Sequence, residues 1–324
     1  MNKENSFLDK LISGVKERRL PWRVKHKLDS MKIAVIRSVT RRQFLRILET
    51  PPIISDNECD VEVHTLIDHN FLIYYLVAIK SFYFFAKRKF SIYCHCCTNN
   101  MTSKDVEILK KHIVGVNFVD RETSDKIMKE RLSGYRLCLK YRDEIDADNS
   151  SPPKLFDQIL ISKTKKLILL DADTLFFNYP SEIIEWADSD ASTSLYLKDI
   201  MTVYMIEYPA INEIKGLPRV PPHFNAGLLC FDKRVLTDNL DRIEELCRML
   251  LAHGGDFCGL DQTIFAMLLP NKRILPHTYT CKISEELKNN KDLIFKHYVG
   301  RDVRFGSFIY RDEGMRVIDR LMAQ

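Results

Sequence analysis

The chain has 324 residues, enough for one large domain or two small ones. Its composition is 45% hydrophobic and 29% charged, which is typical of a globular protein, and the sequence shows neither internal repeats nor low-complexity segments. No run of about 18 uncharged apolar residues occurs, and charges interrupt the apolar stretch at the N terminus. We therefore predict neither a membrane-spanning helix nor a secretory signal, and we expect a cytoplasmic protein.

Basic residues are concentrated near the N terminus. Residues 1–50 hold 13 Lys+Arg and 5 Asp+Glu, a balance of +8, so residues 51–324 carry −3 of the net +5. Apolar periodicity predicts two helices here, one with an apolar face between Phe7 and Val15 and one from about Asp29 to Leu48. We interpret residues 1–55 as a basic helical extension. It either packs on the main domain or makes a peripheral contact with the inner face of a membrane.

From about residue 60 the pattern alternates between strands and helices. Runs rich in β-branched and apolar residues predict strands at 61–67, 90–97, 116–120 and 165–177. Helical patterns separate these strands at 71–82, at 103–112, beyond 120 and at 155–162. This alternation predicts an α/β fold with a mainly parallel central sheet. The sequence contains neither of the glycine-rich phosphate-binding motifs G-x-G-x-x-G and G-x-x-x-x-G-K-[ST]. Phosphate must therefore be bound in another way, and a metal ion is the obvious candidate.

The nine cysteines include the cluster Cys94-His95-Cys96-Cys97. A structural zinc site would require a second pair of ligands elsewhere, and strand alternation would send neighbouring side chains of FSIYCHCC to opposite faces. We considered a metal cluster but favour cysteines that pack in the core as small apolar side chains.

Two carboxylates follow the strongest strand signal of the chain. Asp171 and Asp173 come directly after the apolar run that ends at Leu170. The carboxyl end of a buried strand is the usual ligand-binding edge of an open α/β sheet. Two carboxylates at this spacing can reach one hard cation, and that cation can bridge two phosphates.

The stretch LILLDADTLFF resembles the D-x-D strand of glycosyltransferase family 8, which includes glycogenin and bacterial lipopolysaccharide galactosyl- and glucosyltransferases. Other stretches resemble elements of the same family in the same order, namely VHTLIDHN (63–70), PKL (153–155), HFNAGLL (223–229), GLDQ (259–262) and HYVG (297–300). The resemblance spans roughly residues 60–304. It implies a single GT-A domain over residues 56–324.

The resemblance also implies roles for individual residues. The residues expected to bind the nucleotide-sugar are Thr65, Leu66, Asp68, Lys154, Asp171, Ala172, Asp173, Gly300 and Arg304, with Arg301 as a further candidate. The residues expected around the transferred sugar and the reacting atoms are Asn225, Asp261, Gln262 and Lys154. The metal ligands are expected to be Asp171, Asp173 and His297. Taken alone, His297 could be a satisfied core histidine, and Asp261 could cap the following helix.

A mixed set of oxygen and imidazole ligands suits Mn²⁺, with Mg²⁺ as the alternative. We therefore expect a metal-dependent enzyme that transfers a sugar from a nucleotide-sugar, with UDP as the expected nucleotide, to an acceptor hydroxyl with retention of configuration. The acceptor would be a glycan, a lipid-linked glycan or a protein, in polysaccharide or lipopolysaccharide synthesis. Nucleic acid is not an expected partner.

The sequence departs from the family pattern at two positions. Leu72 aligns with a tyrosine that stacks on the nucleobase, for which Tyr74 or Tyr75 is a possible substitute, and Val303 aligns with a lysine whose role we assign to Arg304.

Two other functions compete on the same residues. Haloacid-dehalogenase-type phosphatases also carry D-x-D after a strand, with the first Asp as nucleophile. Their pattern places a glycine before the threonine, whereas Thr174 follows Asp173 directly, and their nucleophile lies on the first strand of the domain. The second alternative is a non-catalytic GT-A module that binds a ligand without turnover.

Overall fold

The structure is a computed structural model that describes residues 22–143, 152–282, 291–300 and 304–323. The first predicted helix, with its apolar face from Phe7 to Val15, lies outside these residues, as does Arg301. Among the described residues, no helix combines the length and the apolar character needed to cross a membrane.

The helices are α1 (Trp22–Phe44), α2 (Leu72–Ala86), α3 (Ser103–His112), α4 (Arg121–Arg131), α5 (Arg136–Asp143), α6 (Pro152–Ile161), α7 (Ser181–Asp188), α8 (Arg234–Thr237), α9 (Leu240–Ala252), α10 (Leu260–Leu268) and α11 (Ile309–Met322). Short 3-10 helices cover Leu45–Glu49 and Ala210–Glu213. The strands are β1 (Ile53–Ile54), β2 (Val61–Ile67), β3 (Ser91–Cys96), β4 (Ile113–Val114), β5 (Asn117–Val119), β6 (Lys166–Leu170), β7 (Thr174–Phe176), β8 (Ser194–Lys198), β9 (Phe224–Asp232), β10 (Lys272–Ile274), β11 (Tyr279–Thr280) and β12 (Phe295–His297).

Seven of these strands form the main sheet in the order β10-β8-β9-β6-β2-β3-β5. Strand β9 runs antiparallel to its neighbours β8 and β6, and the other paired strands of this sheet are parallel. The predicted α/β class with a mainly parallel central sheet is confirmed. Because Leu170 at the end of β6 pairs with Leu228 of antiparallel β9, the first residues of β9 lie at the edge where β6 ends.

The central strand is buried on both faces, as expected for a parallel sheet that is covered by helices. Ile168 and Leu170 belong to one hydrophobic core, whereas Leu167 and Leu169 belong to a second core on the other face. The cysteines at 94, 96 and 97 are buried, which confirms their interpretation as core residues. His95, which lies between these cysteines on β3, is also buried. Its Nε2 is 2.9 Å from Nδ1 of His64.

The strands predicted at 61–67, 90–97 and 116–120 are confirmed by β2, β3 and β5. The run at 165–177 is not one strand but two, because the chain turns at the D-x-D. Strand β7 leaves the main sheet and pairs antiparallel with β12 in a three-stranded sheet of order β11-β12-β7. The helical region beyond residue 120 also divides, into α4 and α5.

The second predicted helix is confirmed as α1, although it begins at Trp22 rather than near Asp29. Ile33, Ile36 and Phe44 are buried along one stripe at helical spacing. This stripe packs against α2 and α11. The helical extension is therefore joined to the main domain at least from Ile33 onward.

A buried lysine ties the segment after α1 to the domain. Nζ of Lys80 donates hydrogen bonds to Oγ1 of Thr50 and to the carbonyl oxygen of Pro51, both at 2.8 Å, and lies 3.1 Å from Nδ1 of His112. Burial lowers the pKa of Lys80 to about 8. Burial and the charge of Lys80 lower the pKa of His112 to about 4. The imidazole is therefore neutral near pH 7 and accepts a hydrogen bond from the ammonium group.

This arrangement predicts an acid-sensitive stability. The unfolded chain binds a proton at His112 below about pH 6.5, whereas the folded chain resists protonation down to about pH 4, so the free energy of unfolding falls as pH falls through this window. His112→Asn retains an acceptor but no titrating imidazole. Urea unfolding at pH 7.5 and at pH 4 gives the free energy of unfolding that each protein loses on acidification. We expect this loss to be smaller by roughly 1–3 kcal/mol in the variant than in the wild type. The exposed His253→Asn is the matched control, and equal acid slopes in all three proteins would contradict the assignment.

Candidate active site

Two cavities lie at the carboxyl edge of the main sheet and meet at the D-x-D. One has a volume of about 330 Å³ and the other about 180 Å³. They share four lining residues of opposite charge, namely Lys154, Asp171, Asp173 and Arg304. The structure thus forms one cleft. Four charged side chains lie at its centre, and mostly uncharged residues line the cavity on either side.

Hydrogen bonds fix the backbone of the D-x-D residues and so position their side chains. The amide of Asp171 donates to the carbonyl oxygen of Gly227 on β9 at 2.9 Å, and the hydroxyl of Thr174 donates to the carbonyl oxygen of Asp171 at 2.8 Å. The carbonyl oxygen of Asp173 accepts from the amide of Tyr298 at 3.0 Å. The turn between β6 and β7 is therefore fixed from β9 and from the segment after β12.

His297 reaches the D-x-D because β12 pairs with β7, where His297 lies opposite Thr174. Its Nε2 is 3.5 Å from Oδ2 of Asp171 and 3.3 Å from Oδ1 of Asp173. One potential ligand atom from each of the three residues lies within 4.8 Å of the others. A histidine more than 120 residues downstream thus joins the two carboxylates, in a set of donors that suits a divalent cation.

The remaining carboxylate oxygens face cationic side chains. Nζ of Lys154 lies 2.5 Å from Oδ1 of Asp171, and the guanidinium of Arg304 donates to Oδ2 of Asp173. Burial alone would raise the pKa of Asp173, but the charges of Arg304 and His297 hold it well below its usual range. Burial alone would lower the pKa of His297, but Asp173 raises it to about 10. These charges keep the carboxylate of Asp173 ionised, which metal binding requires.

A polar relay behind His297 fixes the orientation of its ring. Nδ2 of Asn225 donates to Oδ2 of Asp199 at 2.7 Å, which turns Oδ1 of Asn225 towards Nδ1 of His297 at 3.0 Å. Nδ1 therefore donates to the amide oxygen, and Nε2 is the nitrogen that faces the carboxylates. The same amide oxygen accepts from the backbone N–H of Gly227 at 2.8 Å. These contacts fit a histidine that serves as a metal ligand.

Gly227 provides the space for the imidazole. A Cβ atom at this position would lie 2.1 Å from Cε1 and 2.2 Å from Nδ1 of His297, and 2.9 Å from Oδ1 of Asn225. The glycine in the F-N-A-G stretch is thus explained by the close approach of β9 to the histidine ring.

The larger cavity contains the residues predicted around the sugar. Asn225, Asp261 and Gln262 line it together with Lys154 and Gly300. Gln262 is oriented by two backbone contacts, since its Oε1 accepts from the amide of Ala226 at 3.3 Å and its Nε2 donates to the carbonyl oxygen of Val203 at 2.7 Å.

Asp261 does not cap the helix that follows it. Gly259, in the left-handed conformation with φ 71°, is the N-cap of α10, and Asp261 lies within the first turn. Its carboxyl group is buried on the cleft, and burial raises its pKa above the ordinary value. The helix-cap interpretation is therefore wrong, and the side chain remains available to the cavity.

The smaller cavity contains most of the residues predicted at the nucleotide end. Leu66, Asp68 and Ala172 line it, whereas the fully buried Thr65 does not line either cavity. Tyr74 and Tyr75 are buried in the core, with the hydroxyl of Tyr75 accepting from the thiol of Cys94 at 2.9 Å. The structure brings neither tyrosine into this cavity.

Phe71 and Asp199 are cleft residues that the sequence analysis did not identify as such. Phe71 lines the smaller cavity, and its ring lies 4.9 Å from the guanidinium carbon of Arg304. Asp199 follows the buried strand β8 and supports Asn225 from inside the larger cavity. Asp199 carried the same signal as the D-x-D, a carboxylate directly after an apolar strand, but β8 was not predicted as a strand.

The chain is similar to known glycosyltransferases. The family model described as Glycosyl transferase family 8 matches residues 62–301. A comparison with curated proteins found no match.

Solved structures with a similar fold include the galactosyltransferase LgtC in complex with donor and acceptor sugar analogues. It is 14% identical with a TM-score of 0.50, over 80% of this chain and 95% of that chain. Apo mouse xyloside xylosyltransferase 1 is 13% identical with a TM-score of 0.48, over 76% and 97% of the two chains. GlyE of Streptococcus pneumoniae TIGR4 is 12% identical with a TM-score of 0.49, over 81% and 62%.

Gly227→Ala should damage the histidine site selectively. Because the added Cβ would overlap the ring of His297, we expect a loss of roughly 1–3 kcal/mol in urea unfolding and a loss of Mn²⁺ affinity in calorimetric titration. Gly134→Ala is the matched control, since a Cβ there meets no atom within 4 Å. Wild-type stability together with wild-type metal affinity in Gly227→Ala would show that the ring and β9 are not in this contact.

Proposed function

This chain belongs to glycosyltransferase family 8, and from that membership we propose that it transfers a sugar from a UDP-sugar to an acceptor hydroxyl in a reaction that requires Mn²⁺. Membership in the family makes the chain a nucleotide-sugar-dependent glycosyltransferase with the GT-A fold. It argues against the haloacid-dehalogenase-type phosphatase, and turnover of a nucleotide-sugar distinguishes the enzyme from the non-catalytic module. The nucleotide, the metal, the acceptor and the stereochemical course form the proposal.

One observation carries the proposal, namely that the two cavities meet at the four charged residues of the D-x-D cluster. A nucleotide-sugar has the same order of parts, with an uncharged nucleoside and an uncharged sugar on either side of an anionic diphosphate. We place the nucleoside in the smaller cavity, beside Leu66, Asp68 and Phe71. The sugar then occupies the larger cavity, beside Asn225 and Asp261.

Asp171, Asp173 and His297 would hold the divalent cation. The mixed oxygen and imidazole set favours Mn²⁺ over the all-oxygen preference of Mg²⁺, which stays the alternative. When bound, the cation supplies neutralisation of the leaving diphosphate as a Lewis acid and a template. The orientation of His297 by Asn225 and Asp199 supports this assignment, because the ring presents Nε2 to the carboxylates.

Lys154 and Arg304 supply the positive charge of the chain at the point where the diphosphate leaves. Both line the two cavities, and both are nine-tenths buried. A buried cation interacts more strongly with a developing negative charge than a solvated one does. In the structure their partners are the carboxylates of Asp171 and Asp173, so both side chains already lie beside the D-x-D.

The residues at the sugar end orient the substrate rather than attack it. Asn225 and Gln262 are held by their own hydrogen bonds, and Asp261 retains acceptor capacity in a buried position. We propose that the acceptor oxygen attacks C1 of the sugar on the face that the diphosphate leaves. The bond from C1 to the diphosphate oxygen breaks, and the acceptor proton passes to that oxygen, which gives retention of configuration. Nuclear magnetic resonance of the anomeric proton in the product distinguishes retention from inversion.

The acceptor side of the cleft exposes apolar side chains. Ile200, Met201 and Val203 follow β8, each is more than 40% exposed, and Val203 lines the larger cavity. An acceptor with an apolar part would cover this surface, which supports a lipid-linked glycan over a soluble glycan or a protein. The process would then be the synthesis of a polysaccharide or lipopolysaccharide.

Thermal unfolding with a panel of nucleotide-sugars, each with and without Mn²⁺, tests the donor assignment. We expect one UDP-sugar to raise the melting temperature only when Mn²⁺ is present, since a ligand that binds the folded state stabilises it. Asp171→Asn and Asp173→Asn should abolish this shift and should lower UDP release by 100-fold or more, roughly the effect of removing one transition-state contact.

The control is Asp190→Asn, which removes an exposed carboxylate that accepts from the amide of Ser192. Wild-type UDP release in either D-x-D variant would contradict the metal assignment. A shift with a nucleotide other than UDP would keep the enzyme class and correct the donor.

A further inference from the structure

Helix α1 carries a second stripe, opposite the buried one, that remains exposed. Leu28, Met31 and Val35 are 40%, 58% and 41% exposed, and Leu45 in the following turn is 44% exposed. Their spacing of three to four residues places Leu28, Met31 and Val35 on one face of the helix. Four large apolar side chains in a row towards solvent indicate a surface that contacts something.

Basic residues accompany this stripe. Residues 22–44 contain seven Lys+Arg (Arg23, Lys25, Lys27, Lys32, Arg37, Arg41, Arg42) and one Asp+Glu (Asp29). Arg37, Arg41 and Arg42 line an open groove of about 710 Å³ along the helix, together with Ser30, Ser38 and Asn70. Among the residues that the structure describes, no carboxylate forms an ion pair with any of these three arginines.

Arg46, in contrast, forms an ion pair within the protein. It lies 3.0 Å from Asp319 of α11 and donates to the sulfur of Met322, so it fastens the end of the extension to the domain. Arg41 and Arg42 lie on the exposed side and have no such anionic partner within the described part of the chain. Their charge is therefore available to an anionic ligand.

We propose that the exposed face of α1 is a docking surface for an anionic phospholipid membrane. The apolar side chains at Leu28, Met31 and Val35 would enter the boundary between headgroups and acyl chains, while Arg37, Arg41 and Arg42 bind the phosphates. Charge complementarity selects this partner, because an amphipathic stripe flanked by arginines that form no ion pair with a described carboxylate matches a surface that is both anionic and apolar. A protein groove without carboxylates would cover the apolar stripe but would not match this excess of positive charge.

The opposite stripe makes the docking rigid with respect to the active site. Phe44 packs so closely on α11 that a Cβ atom at Gly314 would lie 2.1 Å from its ring. The ring of Phe305 lies between Arg37 of α1, at 5.9 Å, and Arg304 of the cleft, at 5.5 Å. A membrane bound to α1 would thus lie beside the nucleotide end of the cleft, at a fixed distance from it.

The test is flotation of the full chain with vesicles of phosphatidylcholine alone and of phosphatidylcholine with a quarter phosphatidylglycerol, at 50 mM and 500 mM NaCl. We expect binding to the anionic vesicles that weakens at high salt, because exposed charges are screened. Arg41→Glu with Arg42→Glu should lower the partition coefficient roughly 30-fold or more, since each basic residue near an anionic surface contributes a factor of about five. Met31→Glu should lower it at both salt concentrations.

Lys126→Glu with Lys129→Glu is the matched control, because it makes the same change of charge at exposed positions of α4. Thermal unfolding of every variant verifies that each protein is folded. Three outcomes would overturn the proposal: no binding by the wild type, equal binding to neutral and anionic vesicles, or equal losses in the α1 and α4 variants. Concentration-dependent dimerisation that Met31→Glu abolishes, with no vesicle binding, would assign the face to a second copy of the chain.

Discussion

The close placement of two carboxylates, the buried Asp173 and the partly exposed Asp171, governs the rest of this molecule. Asp171 and Asp173 are two residues apart at the end of a strand, and their mutual repulsion in a poorly solvated cleft must be offset. The chain offsets it with three groups from distant segments, namely Lys154, His297 and Arg304. Each group arrives on a separate element, so the centre exists only when α6, β12 and the segment before α11 are all in place.

Antiparallel β9 supplies residues that position the groups around the two carboxylates. Because it starts where β6 ends, it brings Asn225 and Gly227 to the same edge as the D-x-D. Gly227 leaves room for the imidazole, its carbonyl oxygen fixes Asp171, and Asn225 sets the orientation of the ring. Replacing the strand by a parallel one would place these residues at the opposite edge of the sheet. The single reversal in the main sheet is thus tied to the site.

The sequence pattern of a short segment was enough to predict individual strands. Strands β2 and β3 are rich in β-branched and apolar residues, and the D-x-D follows a buried strand, so both could be predicted from the sequence. The departure of β7 to a second sheet could not, because it depends on pairing with β12 across more than 100 residues. Thr65 has the alternation of a strand but no signal of depth, so its burial away from both cavities was not predictable. Phe71 and Asp199 join the site through tertiary contacts that resemblance to a motif does not encode.

The extension divides its side chains between two tasks. One stripe of α1 is buried against α2 and α11, and Lys80 secures the segment that follows, so the helix is joined to the domain. The other stripe leaves apolar and basic groups in solvent. The positive charge that the sequence concentrates in residues 1–50 therefore lies, at least from Lys27 onward, on a surface beside the cleft rather than within it.

The measurement that tests the account most directly is electron spin echo envelope modulation of Mn²⁺ bound to the full chain in the presence of UDP. The account predicts a ¹⁴N coupling from one directly bound imidazole and a ³¹P coupling from the diphosphate, with the nitrogen coupling lost in His297→Gln. A wild-type complex that binds Mn²⁺ and UDP without any nitrogen coupling would contradict the assignment of Asp171, Asp173 and His297 as one metal centre.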